Sequence, residues 1–200
     1  MPSAWAANIR IVPTGTPVDM LIVQGEIVSG DADRFLNIIR SVEIGAVLLE
    51  SPGGNLLEGL MIGRAIRARG FSTGVAPETA CASACALAWL AGKSRYMHPT
   101  SLVGFHAAYI EENGRTSESG VGNALVGAYV NELRLGFDAV VLVASAAPEE
   151  MNWLNAAKAK RAGIEVILLE ANGVEETIER EAALMLPSGF RWIVLESSTS

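Results

Sequence analysis

Three short segments of this sequence carry residues that could perform acyl-transfer chemistry. In chain order they are Ser51-Pro52-Gly53-Gly54, Ala82-Ser83-Ala84 and Gly104-Phe105-His106. A serine becomes a nucleophile when a neighbouring imidazole accepts its proton, and backbone N–H groups aimed at the developing oxyanion stabilise the transition state. Together the segments contain a hydroxyl, an imidazole and a glycine-rich turn, which are the groups that this chemistry needs.

The hydroxyl and the imidazole each allow a catalytic and a structural interpretation. Ser83 opens a predicted helix, where the positive end of the helix dipole and the Ala84 N–H group would favour an oxyanion. Serine is also a common N-cap. The chain has two histidines. His98 precedes Pro99 in a predicted turn and is expected at the surface. His106 ends an apolar strand, so it is the candidate base, or else a histidine held in the core or a loop.

The glycine-rich turn has the same two interpretations. A strand cannot continue its ladder through Pro-Gly-Gly, and glycine lets a backbone N–H group turn toward a ligand without interference from a Cβ atom. Gly53 or Gly54, together with Ala84, would then form an oxyanion hole. The turn also fits as a simple end to the preceding strand.

Short apolar strands that alternate with helices position these segments. The expected strands are Met20–Ile27, Ala46–Glu50, Phe71–Val75, Ser101–Ala108, Glu165–Leu169 and Phe190–Leu195. The expected helices are Asp31–Ser41, Asn55–Arg69, Cys81–Ala91, Asn123–Ala144 and Asn155–Ala162. This alternation predicts an α/β fold with a mostly parallel sheet flanked by helices. One domain is expected over residues 1–200, with loose tails at 1–18 and 196–200 and a mobile polar loop at Ile110–Gly122.

The sequence from Leu48 to Tyr109 resembles the proteolytic subunit of Clp protease. The shared pattern begins with a strand that ends in Ser-Pro-Gly-Gly and a small-Ser-small turn that opens a helix. A Pro-x-Ser-x-x-x-x-His strand follows, which stands here at residues 99–106. A weaker similarity covers residues 152–164. The resemblance implies a crotonase/Clp-type spiral of ββα units.

The same resemblance assigns a role to each candidate residue. Ser83 would be the nucleophile and His106 the general base. The oxyanion donors would be Ala84 with Gly53 or Gly54.

The chain departs from the family where the third triad residue is expected. Family members carry an aspartate two residues before an aromatic residue, and here that position is Met151. Loss of the carboxylate in a Ser-His-Asp enzyme lowers the rate about ten-thousandfold. The expected substitutes, in order, are Asn152, then Asn155 and Glu150, then Asp138. Asn152 also fits as the cap of the next helix, and a Ser-His dyad assisted by a backbone carbonyl or a water is the other possibility.

Two cysteines, Cys81 and Cys85, bracket Ser83 and are too few for a zinc site. They are either small buried hydrophobic residues or a disulfide, and a disulfide requires Cys81 to lie outside the helix. A disulfide would indicate an oxidising compartment. Residues 1–10 do not form a signal peptide, but they are compatible with a start from which one has been removed. A periplasmic or otherwise exported location is therefore expected, with a cytoplasmic location as the alternative.

Composition excludes several other functions. The net charge of −7 argues against a general nucleic-acid binder. No apolar run reaches the roughly 18 residues that cross a bilayer. No cofactor is expected. The chain also lacks the glycine-rich loop with Lys-Ser/Thr that binds ATP, so any ATP-driven unfoldase would be a separate protein.

The resemblance implies a self-assembling serine endopeptidase that cleaves peptides or unfolded proteins through an acyl-enzyme on Ser83. Family members stack rings through a projecting helix and strand, for which residues 110–122 are the corresponding region, so a homo-oligomer is expected. Two alternatives stay open. Met151 favours a structural or peptide-binding oligomer that is catalytically weak or inactive, and an acyl ester or acyl-CoA hydrolase of the crotonase superfamily is the third hypothesis.

Overall fold

The computed structural model describes residues 6–169, which form an α/β fold. The strands β1 to β11 are Asn8–Val12, Val18–Gln24, Ile44–Glu50, Ser72–Val75, Ala80–Ala82, Arg95–Met97, Leu102–Phe105, Tyr109–Glu112, Arg115–Glu118, Asn152–Trp153 and Ile167–Leu168. The helices α1 to α6 are Asp31–Ile38, Leu56–Arg69, Ala84–Leu90, Gly120–Glu132, Phe137–Ala144 and Ala156–Arg161. A 3-10 turn at Ile39–Ser41 follows α1. The strand predicted at Phe190–Leu195 and the tail predicted at 196–200 lie outside the described residues.

Six strands form the main sheet, in the order β1-β2-β3-β4-β6-β11. Strand β1 is antiparallel to β2, and every other neighbouring pair is parallel. Parallel strands need crossover connections, which the helices between them supply. The predicted α/β class with a mostly parallel sheet flanked by helices is confirmed.

A second sheet, in the order β10-β7-β5, brings the three candidate segments together. Strand β5 runs parallel to β7 and pairs Cys81 with Val103, whereas β10 runs antiparallel and pairs Asn152 with Phe105. An isolated bridge joins Ser51 to Cys81. The glycine-rich turn, the Ser83 turn and the residue that follows β7 therefore meet at one end of this small sheet.

Helix α2 follows its sequence signals closely. The Asn55 side chain accepts a hydrogen bond from the Glu58 N–H group at 3.2 Å, so it caps the helix at its start. Gly70 ends the helix with a left-handed backbone (φ 64°), which glycine adopts easily because it has no Cβ atom to clash. The predicted helix from Asn55 to Arg69 is confirmed.

Two predicted helices are shorter than expected. Helix α3 begins at Ala84 rather than Cys81, because residues 80–82 pair with β7 as a strand. The helix predicted over residues 123–144 is two helices, since Arg134 takes a φ of 61° after α4 and Gly136 caps α5. Glycine usually occupies such a left-handed position at the end of a helix. Because Arg134 stands there instead, the sequence gives no signal that α4 ends.

Two segments predicted to be loose or mobile contain strands instead. Residues 8–12, within the predicted tail 1–18, pair with β2 along their whole length. The loop predicted at 110–122 holds most of an exposed hairpin of β8 and β9. Its turn residues, Asn113 and Gly114, have φ values of 52° and 72°. Asn-Gly suits such a turn because both central residues need positive φ.

Helix α3 is buried along its whole length and lies close against α2. The approach is closest at Gly59 on α2. A Cβ atom at Gly59 would lie 2.6 Å from the Ala84 carbonyl oxygen and 2.8 Å from Ala84 Cβ. The absence of a side chain at Gly59 therefore sets the position of the helix that begins directly after Ser83.

Replacement of Gly59 by alanine tests this constraint. Gly59→Ala is expected to lower the free energy of unfolding by about 1–3 kcal/mol, because the added methyl group overfills the contact between α2 and α3. Urea denaturation measures this change. Gly127→Ala on α4 is the matched control, since its Cβ would meet only Val140 Cγ1 at 3.8 Å. The control is expected to gain up to about 1 kcal/mol from helix propensity. Equal changes in both variants would contradict the close contact at Gly59.

Candidate active site

Ser83 forms the turn between β5 and α3 and has a strained backbone. Its φ and ψ are 55° and −124°, a region that costs a residue with a Cβ atom about 1–3 kcal/mol. Its N–H group donates to the Gly104 carbonyl oxygen at 2.8 Å, and its carbonyl oxygen accepts from the Leu87 N–H group at 3.1 Å. The hydroxyl makes no capping hydrogen bond. The N-cap interpretation therefore does not explain this serine.

A disulfide and a glycine hold the Ser83 turn in place. Cys81 on β5 is bonded to Cys85 on α3, their Cα atoms lie 5.2 Å apart, and both side chains are fully buried. The bridge thus closes over Ser83 from the strand to the helix. On the other side, a Cβ atom at Gly53 would lie 2.7 Å from Ser83 Cβ and 2.7 Å from the Ala82 carbonyl oxygen. Only glycine at position 53 lets the two turns approach this closely.

His106 follows directly after β7 and is half-buried. Its Nδ1 atom lies 2.7 Å from the Ala107 carbonyl oxygen. Because a carbonyl oxygen can only accept, Nδ1 carries a proton, so in the neutral ring Nε2 is the nitrogen that can accept one. The Ala107 N–H group donates to the Ala146 carbonyl oxygen at 2.8 Å, which anchors this residue to the segment after α5. The ring is therefore in the tautomer that a general base requires.

The residues expected to replace the triad carboxylate lie elsewhere. Asn152 donates from Nδ2 to the Leu142 carbonyl oxygen at 3.0 Å and accepts at Oδ1 from Lys158 Nζ at 2.6 Å. The expectation that Asn152 orients His106 is therefore wrong in this structure. Although β10 places its backbone opposite Phe105, its side chain turns toward α5 and α6.

Within the described residues, the remaining substitutes also make no hydrogen bond with the histidine. The Asn155 side chain accepts from the Lys158 N–H group at 2.9 Å and caps α6, a role that was open to Asn152. Glu150 and Asp138 are exposed. The acceptor for His106 Nδ1 is the backbone carbonyl of the next residue, which corresponds to the dyad alternative.

The structure distinguishes between the two glycines expected to donate to an oxyanion. The Gly53 N–H group donates to Ser51 Oγ at 3.0 Å, so it is already engaged. Gly54 has a φ of 128° and is exposed beside the cavity. Ala84 is the first residue of α3, where an N–H group has no partner within the helix. Gly54 and Ala84 thus remain the candidate donors.

Ser83 and His106 line one cavity of about 340 Å³. Its other lining residues are mostly apolar: Glu26, Gly54, Asn55, Leu56, Leu57, Leu87, Phe105, Ala108, Tyr109, Val126 and Val143. No hydrogen bond joins the Ser83 hydroxyl to His106 in the described part of the chain. Catalytic hydrogen bonds are often long without substrate and shorten when substrate binds. A second cavity, of about 380 Å³ beside α6 and β11, contains neither residue.

Over residues 6–169 the structure contains no group of three His, Cys, Asp or Glu side chains placed to hold a metal ion. Over the same range no helix has the length and apolar character to cross a bilayer.

The fold is shared with solved proteases. A mutant of the 1510-N membrane-bound stomatin-specific protease matches with a TM-score of 0.60 and 19% identity, over 89% of this chain and 90% of that chain. A mutant of ClpP1 from Listeria monocytogenes matches with a TM-score of 0.50 and 15% identity, over 76% of this chain and 92% of that chain. The chain has a Clp-protease-type fold. No protein-family model matches the sequence, and no curated protein matches it with significance.

Within this Clp-type fold, a backbone carbonyl was an expected alternative partner for His106, but no residue type in the sequence identifies it as that of Ala107. Every residue has a backbone carbonyl, so the residue type of Ala107 carries no signal for this role. Met151 gives an indirect indication, because it stands where the family has its carboxylate. The proton on His106 Nδ1 then needs a backbone or solvent acceptor.

The disulfide gives the first test of the site. Reduction of the unfolded protein is expected to add the mass of two hydrogen atoms. A ring this short contributes about 2 kcal/mol by restricting the unfolded chain, so the Cys81→Ala/Cys85→Ala variant should lose roughly that much in urea denaturation. Reduced wild-type protein is the control that keeps both sulfur atoms, and it should lose a similar amount. Two thiols that react with a maleimide in the unfolded, unreduced protein would contradict the bridge.

Proposed function

We propose that this chain is a serine hydrolase that cleaves peptide bonds through an acyl-enzyme on Ser83, with His106 as the general base. The observation that carries the proposal is the backbone of Ser83: it is held in a strained turn, its hydroxyl makes no capping bond, and the residue lines the same cavity as His106. Strain that the surrounding structure maintains is characteristic of functional sites. The likeness in fold to serine proteases supports the same chemistry.

The proposed reaction follows from the positions of these groups. Ser83 Oγ attacks the carbonyl carbon of the scissile bond and transfers its proton to His106 Nε2. The N–H groups of Gly54 and Ala84 donate to the oxyanion. His106 then protonates the leaving amine and the C–N bond breaks. In the second half of the reaction, His106 accepts a proton from a water molecule that attacks the acyl carbon, the bond to Ser83 Oγ breaks, and His106 returns the proton to Oγ as the carboxylic acid product leaves.

The acceptor on Nδ1 sets an expectation for the rate. The Ala107 carbonyl oxygen holds the correct tautomer, as a triad carboxylate does, but it carries no full negative charge. The imidazolium that forms in the transition state is therefore stabilised less than in a Ser-His-Asp enzyme. We expect turnover to be slower than in such enzymes.

The contact between His106 Nδ1 and the Ala107 carbonyl oxygen also favours a second candidate function, that of a peptide-binding protein with ineffective chemistry. A site without a carboxylate beside His106 can bind a peptide in the apolar cavity and leave Ser83 unactivated. The two candidates differ in whether His106 raises the reactivity of Ser83.

We further propose that the protein is exported to the periplasm or a similar compartment, where it acts on peptides or unfolded proteins as a homo-oligomer. The Cys81–Cys85 bridge supports an oxidising location, because such bridges rarely persist in a reducing cytosol. The oligomer rests on the likeness to the Clp-type fold alone. A location in the cytoplasm is the competing proposal, and native protein isolated from cells with both thiols free would favour it.

Covalent labelling tests the nucleophile and base directly. A fluorophosphonate is expected to modify Ser83, with fluoride as the leaving group, and Ser83→Ala should remove all labelling. His106→Ala should slow labelling about 100- to 10,000-fold, the usual contribution of a general base. Intact-mass spectrometry over time gives the rates.

His98→Ala is the matched control for the loss of a histidine. His98 lies outside the cavity, with Nδ1 2.8 Å from Thr100 Oγ1, so its removal should leave the labelling rate unchanged. Labelling of wild type and His106→Ala at the same rate would contradict the hydrolase and favour the peptide-binding candidate.

The position of Asn152 generates a separate prediction. Because its side chain contacts α5 and α6 and not His106, Asn152→Ala should keep the labelling rate of folded protein within about tenfold of wild type. The loss of its part-buried hydrogen bonds to Leu142 and Lys158 should lower the free energy of unfolding by about 0.5–1.5 kcal/mol. A fall in labelling as large as that of His106→Ala would restore Asn152 as the orienting residue.

A further inference from the structure

A glutamate lies beside the turn that would bind the oxyanion. The Ile27 N–H group donates to the Gly53 carbonyl oxygen at 2.7 Å, and the Asn55 N–H group donates to the Ile27 carbonyl oxygen at 2.8 Å. These two bonds fix the segment after β2 against the turn. The Cβ position of Gly54 lies 3.1 Å from Glu26 Cγ. Glu26 is exposed and lines the cavity of Ser83.

The carboxylate of Glu26 differs from its acidic neighbours in having no structural role. Glu50 accepts from Gln24 Nε2 at 3.0 Å. Glu58 accepts from the N–H groups of Gly30 and Ala32 at 3.1 and 2.8 Å.

In the described part of the chain, Glu26 makes no such hydrogen bond and has no ion-pair partner. Among residues 6–169, it is also the one carboxylate that lines the cavity, and no lysine or arginine of that range lines it.

The rest of the cavity wall suits an aliphatic chain. Leu56, Leu87, Phe105 and Val126 line it together with the catalytic pair. A lysine or arginine side chain combines an apolar stem, which such a wall can cover, with a cationic end that remains near water. An apolar cavity with one unneutralised carboxylate at its edge matches that shape and charge.

We propose that Glu26 is a specificity-determining residue that favours substrates with a cationic side chain next to the scissile bond and disfavours acidic ones. The inference rests on the proposed hydrolase function of Ser83. Because Glu26 is exposed, its effect is modest: an exposed ion pair contributes up to about 1 kcal/mol, or about fivefold in rate. The effect should weaken at about 0.5 M salt, where the screening length is only a few ångströms.

Two matched covalent probes test this inference. They are peptidyl diphenyl phosphonates that carry lysine or norleucine next to the phosphorus atom, so they differ chiefly in the terminal ammonium group. Ser83 Oγ bonds to phosphorus, a phenolate leaves, and intact-mass spectrometry gives the second-order rate constants. For each protein we compare the rate constant of the lysine probe divided by that of the norleucine probe. This ratio should be about three- to fivefold higher in wild type than in Glu26→Gln. Glu26→Lys should lower this ratio further.

The control variant and the outcomes separate the two proposals. Glu43→Gln makes the same change in net charge immediately before β3, at the opposite end of that strand from the glycine-rich turn, and should leave the probe ratio unchanged. An unchanged ratio in Glu26→Gln, with Ser83 still labelled, would overturn the role of Glu26 and leave the hydrolase intact. Equal slowing with both probes would overturn it as well, because it indicates a structural effect. Failure of both probes and of the fluorophosphonate to modify Ser83 would overturn both proposals.

Discussion

The strained, positive-φ backbone of Ser83 is the constraint on which the rest of the site depends. A residue with a Cβ atom adopts this conformation only where its surroundings enforce it. Here the pairing of β5 with β7 fixes the chain before the turn, and the buried α3 fixes the chain after it. Gly53 and Gly59 carry no side chains at two points where other segments approach the Ser83 turn and the start of α3 closely. The packing around the second sheet therefore holds the turn that carries the Ser83 hydroxyl.

The second constraint is electrostatic and concerns what faces His106. A carboxylate in a triad does two things: it fixes the tautomer, and its charge stabilises the imidazolium. In this chain the Ala107 carbonyl oxygen does the first and supplies only a partial charge for the second. Since the Asn152 side chain binds Leu142 and Lys158, this amide does not compensate for the difference. Compared with a Ser-His-Asp triad, the site therefore keeps the orientation of the histidine but lacks the full negative charge beside it.

The elements that sequence predicts well are those with strong local signals. Helix α2 has a capping Asn55 and a terminal Gly70, and β3 is an unbroken apolar run, so their positions follow from residue types alone. The start of α3 does not, because residues 80–82 become a strand only through pairing with β7. The turn at Asn113 does have the local signal of a hairpin, but the polar, glycine-rich surroundings suggest a loop.

The same distinction applies to the site. Ser83 and His106 are predictable because three ordered segments carry them, whereas the direction of a side chain such as Asn152 depends on the contacts made by two helices. The Cys81–Cys85 bridge contributes both to the geometry of the site and to overall stability. Closing so short a ring contributes about 2 kcal/mol. This is close to the cost of about 1–3 kcal/mol for the strained backbone of the residue between the cysteines. The bridge thus adds about as much to overall stability as the Ser83 backbone costs, and it ties together the residues on either side of the nucleophile turn.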